Sequence, residues 1–476
     1  MSKTYSVTIP NSKKKRKSKR KGSRSITFGF FLIIIILTIG GYYLYNYAKS
    51  CEGDNCISIL KPISATIEPK LKQDNGKTNI LIVGIDTRGG NSGLMNTDTI
   101  IFVTINHENK TVIMSSIPRD LWLRYKLPNG NTTGSKVNSV YASGEWQRKG
   151  AGIDTLISVT ENIFGEPVHY YVKVTLEGFI DIIDAIGGVD IDIPEYYKDA
   201  YPASELPKEL QATCIPFYHD GKYCLFEFKK GVEHMDGQRA LIYARSRLLS
   251  PRGDFDRAAR QQRVISSVKD KVLSSETYLN PQKVWEIYNI VKKNIETSSF
   301  TINDIRAFLN LRNEINTDEI GHIVLDPYFG NVLGKYIYVG DWASGRGYHI
   351  LPRDESFKAI QKVLEAISLY PKMYEENPVI SIYNATGKSK LEKDWSKLLE
   401  VDNPLITVKQ QNKVIQNPND QYKGISIYRF AKEEKPATEE FLKEYFDVSE
   451  IKTEASDGTK AFSGEDYIIV IGKDSQ

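Results

Sequence analysis

A nearly uninterrupted apolar segment close to the start of the chain constrains its fold more than any other feature. From Ser25 to about Ala48 the residues are almost purely apolar or aromatic, and about 20 such residues suffice to cross a bilayer as a helix. Between Lys13 and Arg24 lie nine Lys or Arg and no acid, and such residues stay on the cytoplasmic side. The pattern predicts a cytoplasmic tail at 1–24, a transmembrane helix at 25–48 and a single-pass cell membrane protein whose bulk is extracytoplasmic.

A cleaved signal peptide and a nucleic-acid-binding arm both fit this segment less well than a membrane anchor. A cleaved signal peptide has an apolar region of about 7–15 residues and an A-x-A-like cleavage site, and the segment is longer and lacks that site. A basic run can also bind nucleic acid. However, without the ten Lys and Arg of residues 1–24, the remaining 53 basic residues are outnumbered by 59 acidic ones. We therefore expect no nucleic-acid partner.

The four cysteines form two close pairs in the part predicted to be exported, Cys51 with Cys56 and Cys214 with Cys224. An oxidising compartment favours disulfides, although four cysteines allow three connectivities. We expect two local structural disulfides rather than a zinc site.

Downstream of an irregular linker at 49–77, short β-branched runs alternate with amphipathic helices, which is typical of an α/β or α+β layered domain. A polar turn at 106–110 predicts a hairpin between two of these strands, and Gly187-Gly188 is expected to end a helix. The predicted elements are strands Asn79–Asp86, Ile100–Ile105, Thr111–Ile117 and Tyr170–Val174, and helices Ala151–Phe164 and Leu176–Ile186. This first domain is predicted to span 78–370.

A second α/β module is predicted at 378–476, where a new series of short strands and helices begins. Its predicted strands are Val379–Tyr383, Gly424–Phe430 and Tyr467–Ile471, and its predicted helices are Leu391–Leu399 and Thr438–Phe446.

Charged residues follow the apolar runs of the first domain at several strand ends. They are Asp86, Arg88, Asp98, Arg119 and Asp120. A single aspartate in such a place is more often a turn or helix-capping residue. Because several fall at consecutive strand ends, we expect one edge of the sheet to gather them into a site.

Arginines are dense farther along the chain, where Arg245, Arg247, Arg257 and Arg260 lie within sixteen residues. On a helix, Arg257, Arg260 and Gln261 would share one face. The alternative interpretation of these arginines is a solvent-exposed basic helix face without a functional role. Arginine forks match phosphate oxygens, and a pair of carboxylates could hold Mg²⁺ beside them, as phosphoryl transfer requires. The chain has no GxxxxGK[ST], HExxH or G-x-S-x-G motif, which disfavours a P-loop enzyme, a zinc protease and a serine hydrolase.

These residues lie in seven motifs whose order resembles that of the LytR-CpsA-Psr family. The motifs are GIDTR (84–88), NTDT (96–99), SIPRD (116–120), GSKVNSVYASG (134–144), IDAIGGVDIDIP (183–194), MDGQRALIYARSR (235–247) and GDFDRAARQQR (253–263). The resemblance covers about 78–275 well and continues more loosely to 370. The module at 378–476 resembles the C-terminal domain of many members, with Asn-Ala-Thr-Gly at 384–387 in place of the usual Asn-Gly-Thr-Gly.

The resemblance implies a phosphotransferase that attaches a glycopolymer from an undecaprenyl-pyrophosphate carrier to peptidoglycan and releases undecaprenyl phosphate. It also implies a mixed central sheet flanked by helices, with an apolar pocket for the polyprenyl chain. The expected partners are the lipid-linked glycan, peptidoglycan and the membrane.

Carried over motif by motif, the resemblance makes Asp86 and Asp98 the Mg²⁺ ligands. The pyrophosphate-binding arginines would be Arg119, Arg245, Arg247 and Arg257, supported by Arg88 and Gln261, with Lys136, Asn138 and Tyr141 lining the same cleft. We hypothesise that Asp98 or Asp86 helps to activate the attacking hydroxyl, while Arg119 stabilises the phosphoryl group.

Two rival functions use the same residues differently. A protein that binds a polyprenyl lipid or a cell-wall polymer without turnover could employ all of these arginines. Transcriptional regulation is opposed by the absence of a recognisable helix-turn-helix and by the confinement of the basic run to the short tail.

Overall fold

The computed structural model describes residues 70–86, 95–217, 222–272, 289–290, 293–298, 304, 307, 320–328, 332–354, 356–414, 422–453 and 465–474. The predicted tail at 1–24 and transmembrane helix at 25–48, together with Cys51, Cys56 and Arg88, lie outside these ranges. Within them, no helix has the length and apolar character needed to cross a membrane.

Strands and helices alternate along the described chain. The strands are β1 Lys77–Asp86, β2 Asn96–Asn106, β3 Thr111–Ser116, β4 Trp122–Lys126, β5 Thr132–Lys136, β6 Tyr170–Thr175, β7 Val189–Ile193, β8 Tyr197–Pro202, β9 Ile215–Phe217, β10 Tyr223–Phe228, β11 Gly231–Met235, β12 Ile295–Thr297, β13 Ile320–Val324, β14 Ile337–Val339, β15 Ile350–Pro352, β16 Val379–Asn384, β17 Thr407–Val414, β18 Ile425–Arg429 and β19 Tyr467–Ile471. The α-helices are α1 Val140–Gln147, α2 Gly152–Phe164, α3 Leu176–Ala185, α4 Lys208–Thr213, α5 Gly237–Arg245, α6 Asp254–Val272, α7 Lys358–Leu369, α8 Pro371–Glu376, α9 Leu391–Asp402 and α10 Pro436–Tyr445.

A six-stranded mixed sheet organises the first part of the described chain, in the order β12-β6-β1-β2-β3-β13. Strands β1, β2 and β3 are antiparallel neighbours, whereas β6 runs parallel to β1 and β13 runs parallel to β3. The predicted mixed α/β sheet is therefore confirmed. The predicted hairpin is confirmed as well, because β2 and β3 pair antiparallel from Asn106 and Thr111 onward. In its turn, Asn106 Oδ1 accepts hydrogen bonds from the backbone N–H groups of Glu108 and Asn109.

Both faces of this sheet are buried, which explains its long apolar runs. Since side chains alternate along a strand, Leu81 and Val83 of β1 pack in one core cluster and Ile80 and Ile82 in another. On the first face, Phe102 stacks on Phe164 of α2, with ring centroids 4.1 Å apart. Helices therefore cover the sheet and leave its strand ends to form the site.

A third cluster joins α3 and α5 beside the sheet, and its core includes Ile183 and Ile242. Helix α3 ends as predicted, with Gly187 and Gly188 at φ +81° and +80°. A side chain at Gly188 would also collide with His234, whose Nε2 would lie 2.5 Å from the added Cβ. The glycine pair therefore allows the chain to turn sharply into β7.

Part of the predicted linker and the segment near Cys214 both belong to the folded structure. Leu71, inside the predicted linker at 49–77, is buried in the cluster of Ile80. Strands β8, β10 and β9 form a small sheet, and the predicted disulfide between Cys214 and Cys224 closes it.

A separate four-stranded sheet lies at the C-terminal end, in the order β17-β16-β19-β18. The strands and helices predicted there are all present, and β17 is an additional strand. Glu376 of α8 accepts hydrogen bonds from the backbone N–H groups of Ala437 and Thr438 at the start of α10. The connecting helix α8 is thus tied to helix α10 of this second module.

Candidate active site

A β-bulge places Asp98 at the edge of the six-stranded sheet. Gly84 pairs with Thr99 and Ile85 pairs with Thr97, so Asp98 has no partner opposite it on β1. A bulge redirects a side chain and is common beside active sites. Asp86 ends β1 at the same edge, opposite Asn96. The two predicted metal-binding carboxylates therefore lie where the two central strands of the sheet, β1 and β2, meet at one end.

Arg119, just beyond the end of β3, contacts three carboxylates. Its Nη1 donates to Asp98 Oδ1 at 3.0 Å, and its Nε lies 3.4 Å from Asp120 Oδ2 and 3.3 Å from Asp254 Oδ2. Burial tends to lower the pKa of Arg119, but these carboxylates more than offset it, and the pKa is raised. Arg119 is thus a firmly cationic group held at the centre of the site.

Asp254, in the first turn of α6, joins three guanidinium groups. Besides Arg119, it contacts Arg257 at 2.9 Å and Arg247 at 3.5 Å. Burial favours the neutral carboxyl group, but the three arginines prevail and lower the pKa of Asp254. Asp254 therefore remains an anion at neutral pH.

Arg257 is the most deeply buried of these arginines, with a side chain 7% exposed. Its Nη2 donates to the backbone oxygen of Asp98 at 3.2 Å. Burial lowers its pKa to about 10, so it still carries a charge at neutral pH. Arg257 ties α6 directly to the bulge on β2.

Gln262 fixes the position of α6 over the sheet. Its buried Nε2 donates to the backbone oxygens of Met114 and Ile323 and to Ser116 Oγ. Arg260, three residues after Arg257 on the same helix, is also buried, and it donates to the backbone oxygen of Ser246 and to Ser250 Oγ. It therefore braces the loop after α5.

Arg245, at the end of α5, lies on the other side of the site. Its Nη1 donates to Tyr201 Oη at 2.6 Å and to Glu205 Oε2 at 2.8 Å, and its Nη2 lies 3.5 Å from Asp86 Oδ2. Asp236 caps the start of α5 by accepting from the Arg239 N–H at 2.7 Å. Arg245 is therefore connected to the metal-ligand candidate at the end of β1.

The three residues predicted to line the same cleft make different contacts. Lys136 Nζ donates to Asp120 Oδ1 at 2.8 Å, which places it in the same ionic network. The hydroxyl group of Tyr141 accepts from Lys173 Nζ at 3.0 Å. Asn138 contributes a backbone oxygen to Thr97 Oγ1 at 3.2 Å.

An apolar cavity opens between the sheet and the helices α3, α5 and α6. Its walls include Val172, Phe179, Ile183 and Val264, and Arg245 and Gln261 also line it. Gln261 further lines a narrow pocket formed with Asp98, Arg119, Asp254 and Arg257. The apolar cavity therefore adjoins the ionic network.

Two carboxylates of the site could hold a magnesium ion if a substrate supplied further ligands. In the described part of the chain, no group of three or more His, Cys, Asp or Glu could hold a metal alone. Mg²⁺, however, is commonly bound by one or two carboxylates together with substrate phosphates. Asp86 and Asp98 could supply that pair.

Asp254, Tyr201 and Glu205 are functional candidates that the sequence reasoning did not single out. Asp254 belongs to the motif GDFDRAARQQR (253–263). The arginines that follow it in this motif could have indicated that it forms ion pairs. Tyr201 and Glu205 belong to a segment far from Arg245 in sequence, and no local pattern marks their contact.

Comparison with known proteins places the chain in one family. The LytR_cpsA_psr family model matches residues 42–354. The Bacillus subtilis polyisoprenyl-teichoic acid–peptidoglycan teichoic acid transferase TagV is 27% identical over 336 residues, covering 70% of this chain and 75% of TagV. TagU from the same organism, which has the same descriptive name, is 30% identical over 292 residues, covering 60% of this chain and 81% of TagU. A crystal structure of B. subtilis TagV aligns with a TM-score of 0.43 and 26% identity, over 62% of this chain and 97% of that one. The chain belongs to the LytR-CpsA-Psr family.

Proposed function

We propose that this protein transfers a glycopolymer from an undecaprenyl-pyrophosphate carrier to peptidoglycan. One observation carries the proposal: an apolar cavity adjoins a pocket of arginines and carboxylates, and Gln261 lines both. A polyprenyl pyrophosphate likewise consists of an apolar chain joined to an anionic group. The printed names of TagU and TagV, which describe transfer of teichoic acid to peptidoglycan, support the same class of reaction.

The donor would lie with its lipid chain in the apolar cavity and its pyrophosphate among Arg119, Arg245 and Arg257. In the substrate-free protein these arginines contact carboxylates. Bidentate pairing with phosphate oxygens would replace part of these contacts. Because the guanidinium groups are already positioned, little reorganisation is needed when charge develops on the phosphoryl group.

In the reaction, a peptidoglycan hydroxyl attacks the phosphorus atom nearer to the glycan. A new P–O bond to peptidoglycan forms, and the P–O bond to the lipid-bearing phosphate breaks, so that undecaprenyl phosphate leaves with the bonding electron pair. The hydroxyl proton passes to Asp98 or Asp86. Asp254 is a poor alternative base, because its three arginine neighbours lower its pKa.

Mg²⁺, bound by Asp86 and Asp98, would neutralise negative charge on the phosphate oxygens. The network itself supports this proposal. Arg119, Arg245 and Arg257 each face carboxylates, so an added pyrophosphate brings negative charge that they only partly balance.

A membrane anchor at 25–48 would serve this reaction, because it keeps the cleft beside a lipid-borne donor. The proposed arrangement leaves the tail at 1–24 in the cytoplasm and the catalytic residues outside, where peptidoglycan lies.

The test uses the full-length chain in detergent micelles, incubated with a lipid-pyrophosphate glycan and peptidoglycan, with and without Mg²⁺. We expect covalent attachment of the glycan, abolished by chelation. Arg119→Ala should reduce the rate by about 10²-fold or more, as removal of one electrostatic stabiliser commonly does. Tight donor binding without any product would instead identify a binding protein, and a near wild-type rate for Arg119→Ala would overturn the site assignment.

A further inference from the structure

An open cleft lies next to the ionic network, and the lipid and pyrophosphate placed above do not occupy it. It is lined by Arg119, Asp120, Asp254, Phe255, Tyr328 and Tyr348, among others; we refer to it as the tyrosine cleft. Arg119, Asp254 and Phe255 also line the narrow pocket of the ionic network. The apolar cavity, the narrow pocket and the tyrosine cleft therefore follow one another, joined first by Gln261 and then by these three residues.

The order of the three spaces matters for phosphoryl transfer, in which the attacking and leaving oxygens lie roughly in line. With the lipid in the apolar cavity, the leaving lipid phosphate departs on that side of the narrow pocket. The attacking hydroxyl must then approach from the opposite side. The tyrosine cleft meets the narrow pocket at Arg119, Asp254 and Phe255, none of which lines the apolar cavity.

The cleft wall suits a sugar ring. Tyr328 is 41% exposed, and its ring contacts Phe255 edge-on, with centroids 5.5 Å apart. The hydroxyl groups of Tyr328 and Tyr348 lie 3.3 Å apart. A pyranose presents apolar C–H faces and a rim of hydroxyl groups, and an aromatic wall with a few polar groups can bind both.

The wall is held in place by buried interactions. Asp326, which is 3% exposed, accepts from the backbone N–H of Tyr328 at 2.8 Å and from Arg252 Nη1 at 3.1 Å. Burial, together with the hydrogen bond to Tyr328, raises the pKa of Tyr348, so its hydroxyl group keeps its proton at neutral pH. A preformed wall loses little conformational entropy on binding.

We propose that the tyrosine cleft binds the acceptor saccharide of peptidoglycan, with Tyr328 and Tyr348 stacking on or hydrogen bonding to its pyranose rings. The inference rests on the proposed function and adds the place of the second substrate. The two tyrosines are positioning residues, and the proton transfer is left to the carboxylates at the strand ends.

The test compares full-length wild type with Tyr328→Ala, Tyr348→Phe and the control Tyr338→Ala, another exposed tyrosine (38%). Transfer rates are measured against the concentration of soluble peptidoglycan glycan strands and, separately, of donor. We expect Tyr328→Ala to raise the KM for the acceptor about tenfold, as loss of a stacking ring would. Tyr348→Phe, which keeps the ring, should give a smaller rise. The donor KM and the kcat at saturating acceptor should stay within about twofold in both variants, and Tyr338→Ala should match wild type.

A parallel binding measurement, by calorimetry with a soluble disaccharide-peptide fragment of peptidoglycan, needs no turnover. Weaker binding by Tyr328→Ala than by wild type supports the cleft even if no transfer is observed, in which case only the proposed function fails. A rise in donor KM alone would assign the cleft to the donor glycan and overturn the inference. Unchanged acceptor KM and unchanged fragment binding would overturn it as well.

Discussion

Replacing Asp254 by Asn should weaken the fold and the reaction together. The substitution keeps the shape of the side chain but removes the anion that contacts Arg119, Arg247 and Arg257. Arg119 retains Asp98 and Asp120, and the Arg247 side chain is 38% exposed, so water compensates for its loss. The main cost therefore falls on Arg257, whose side chain is only 7% exposed.

Breaking a buried ion pair by removing one partner costs about 3–5 kcal/mol. The lower end applies here, because the Asp254 side chain is 19% exposed and Arg257 also donates to the Asp98 backbone oxygen. We expect a loss of about 3 kcal/mol in the free energy of unfolding. The kcat should fall by about 10²-fold, since small displacements of charged groups have effects of that size.

Asp256→Asn is the matched control on the same helix. Asp256 pairs with Arg252, whose side chain is 53% exposed, and exposed pairs contribute at most about 1 kcal/mol. Urea unfolding gives the free energy of unfolding of each variant, and transfer kinetics give its kcat, so that both effects can be compared between Asp254→Asn and Asp256→Asn. Equal losses in both, or a loss below about 1 kcal/mol in Asp254→Asn with normal kcat, would refute the reasoning.

The stability difference between wild type and Asp254→Asn should depend on pH. Because the pKa of Asp254 is lowered in the folded protein, its carboxylate stabilises the fold fully at a pH above the pKa of an unfolded chain, about 3.9. This stabilisation is lost as the pH falls through the lower pKa of the folded protein. Unfolding midpoints measured at neutral pH and near pH 3 should therefore converge in acid, whereas a constant difference would contradict the sign of the shift.

Three further predictions concern other parts of the molecule. Val174→Trp, in the apolar cavity, should raise the KM for long-chain donors about tenfold and leave the KM for short-chain donors unchanged. Val232→Trp, at a position 72% exposed, should change neither KM. Equal effects of Val174→Trp on both donors would argue against a lipid site. Removal of the disulfide by Cys214→Ser with Cys224→Ser should cost about 3 kcal/mol, because the bond closes a short loop of sequence separation 10 in the unfolded chain; an unchanged melting temperature would contradict this. Truncation after Ala48 should preserve transfer from short soluble donors and reduce it from donors in vesicles, and equal rates on both would remove the need for an anchor.

Strong local patterns made much of the fold predictable. The apolar run of Asn79–Asp86 became β1, with both faces buried, and the Gly187-Gly188 pair ended α3 as predicted. Strand β17, by contrast, has the polar sequence TVKQQNKV. It pairs alongside β16, and that pairing could not be inferred from a sequence so poor in apolar residues.

The candidate site was predictable where motifs marked it. The structure brings Asp98, Arg119 and Arg257 together, and Arg245 lies beside Asp86. The hydrogen bonds of Arg260 to Ser246 and Ser250 could not be inferred, because helical spacing gives the face of a helix but not the loop that covers it. The contact of Arg245 with Glu205, 40 residues away, depends on tertiary packing that no local pattern records.

Identification of the lipid product tests the central claim most directly. A donor carrying a labelled phosphate next to the glycan is incubated with full-length protein, Mg²⁺ and peptidoglycan, and the products are separated and identified by mass spectrometry. We expect undecaprenyl monophosphate as the lipid product, with the label transferred to peptidoglycan. Release of undecaprenyl pyrophosphate, with the label left on the lipid, would show cleavage at the sugar carbon and contradict phosphoryl transfer by this site.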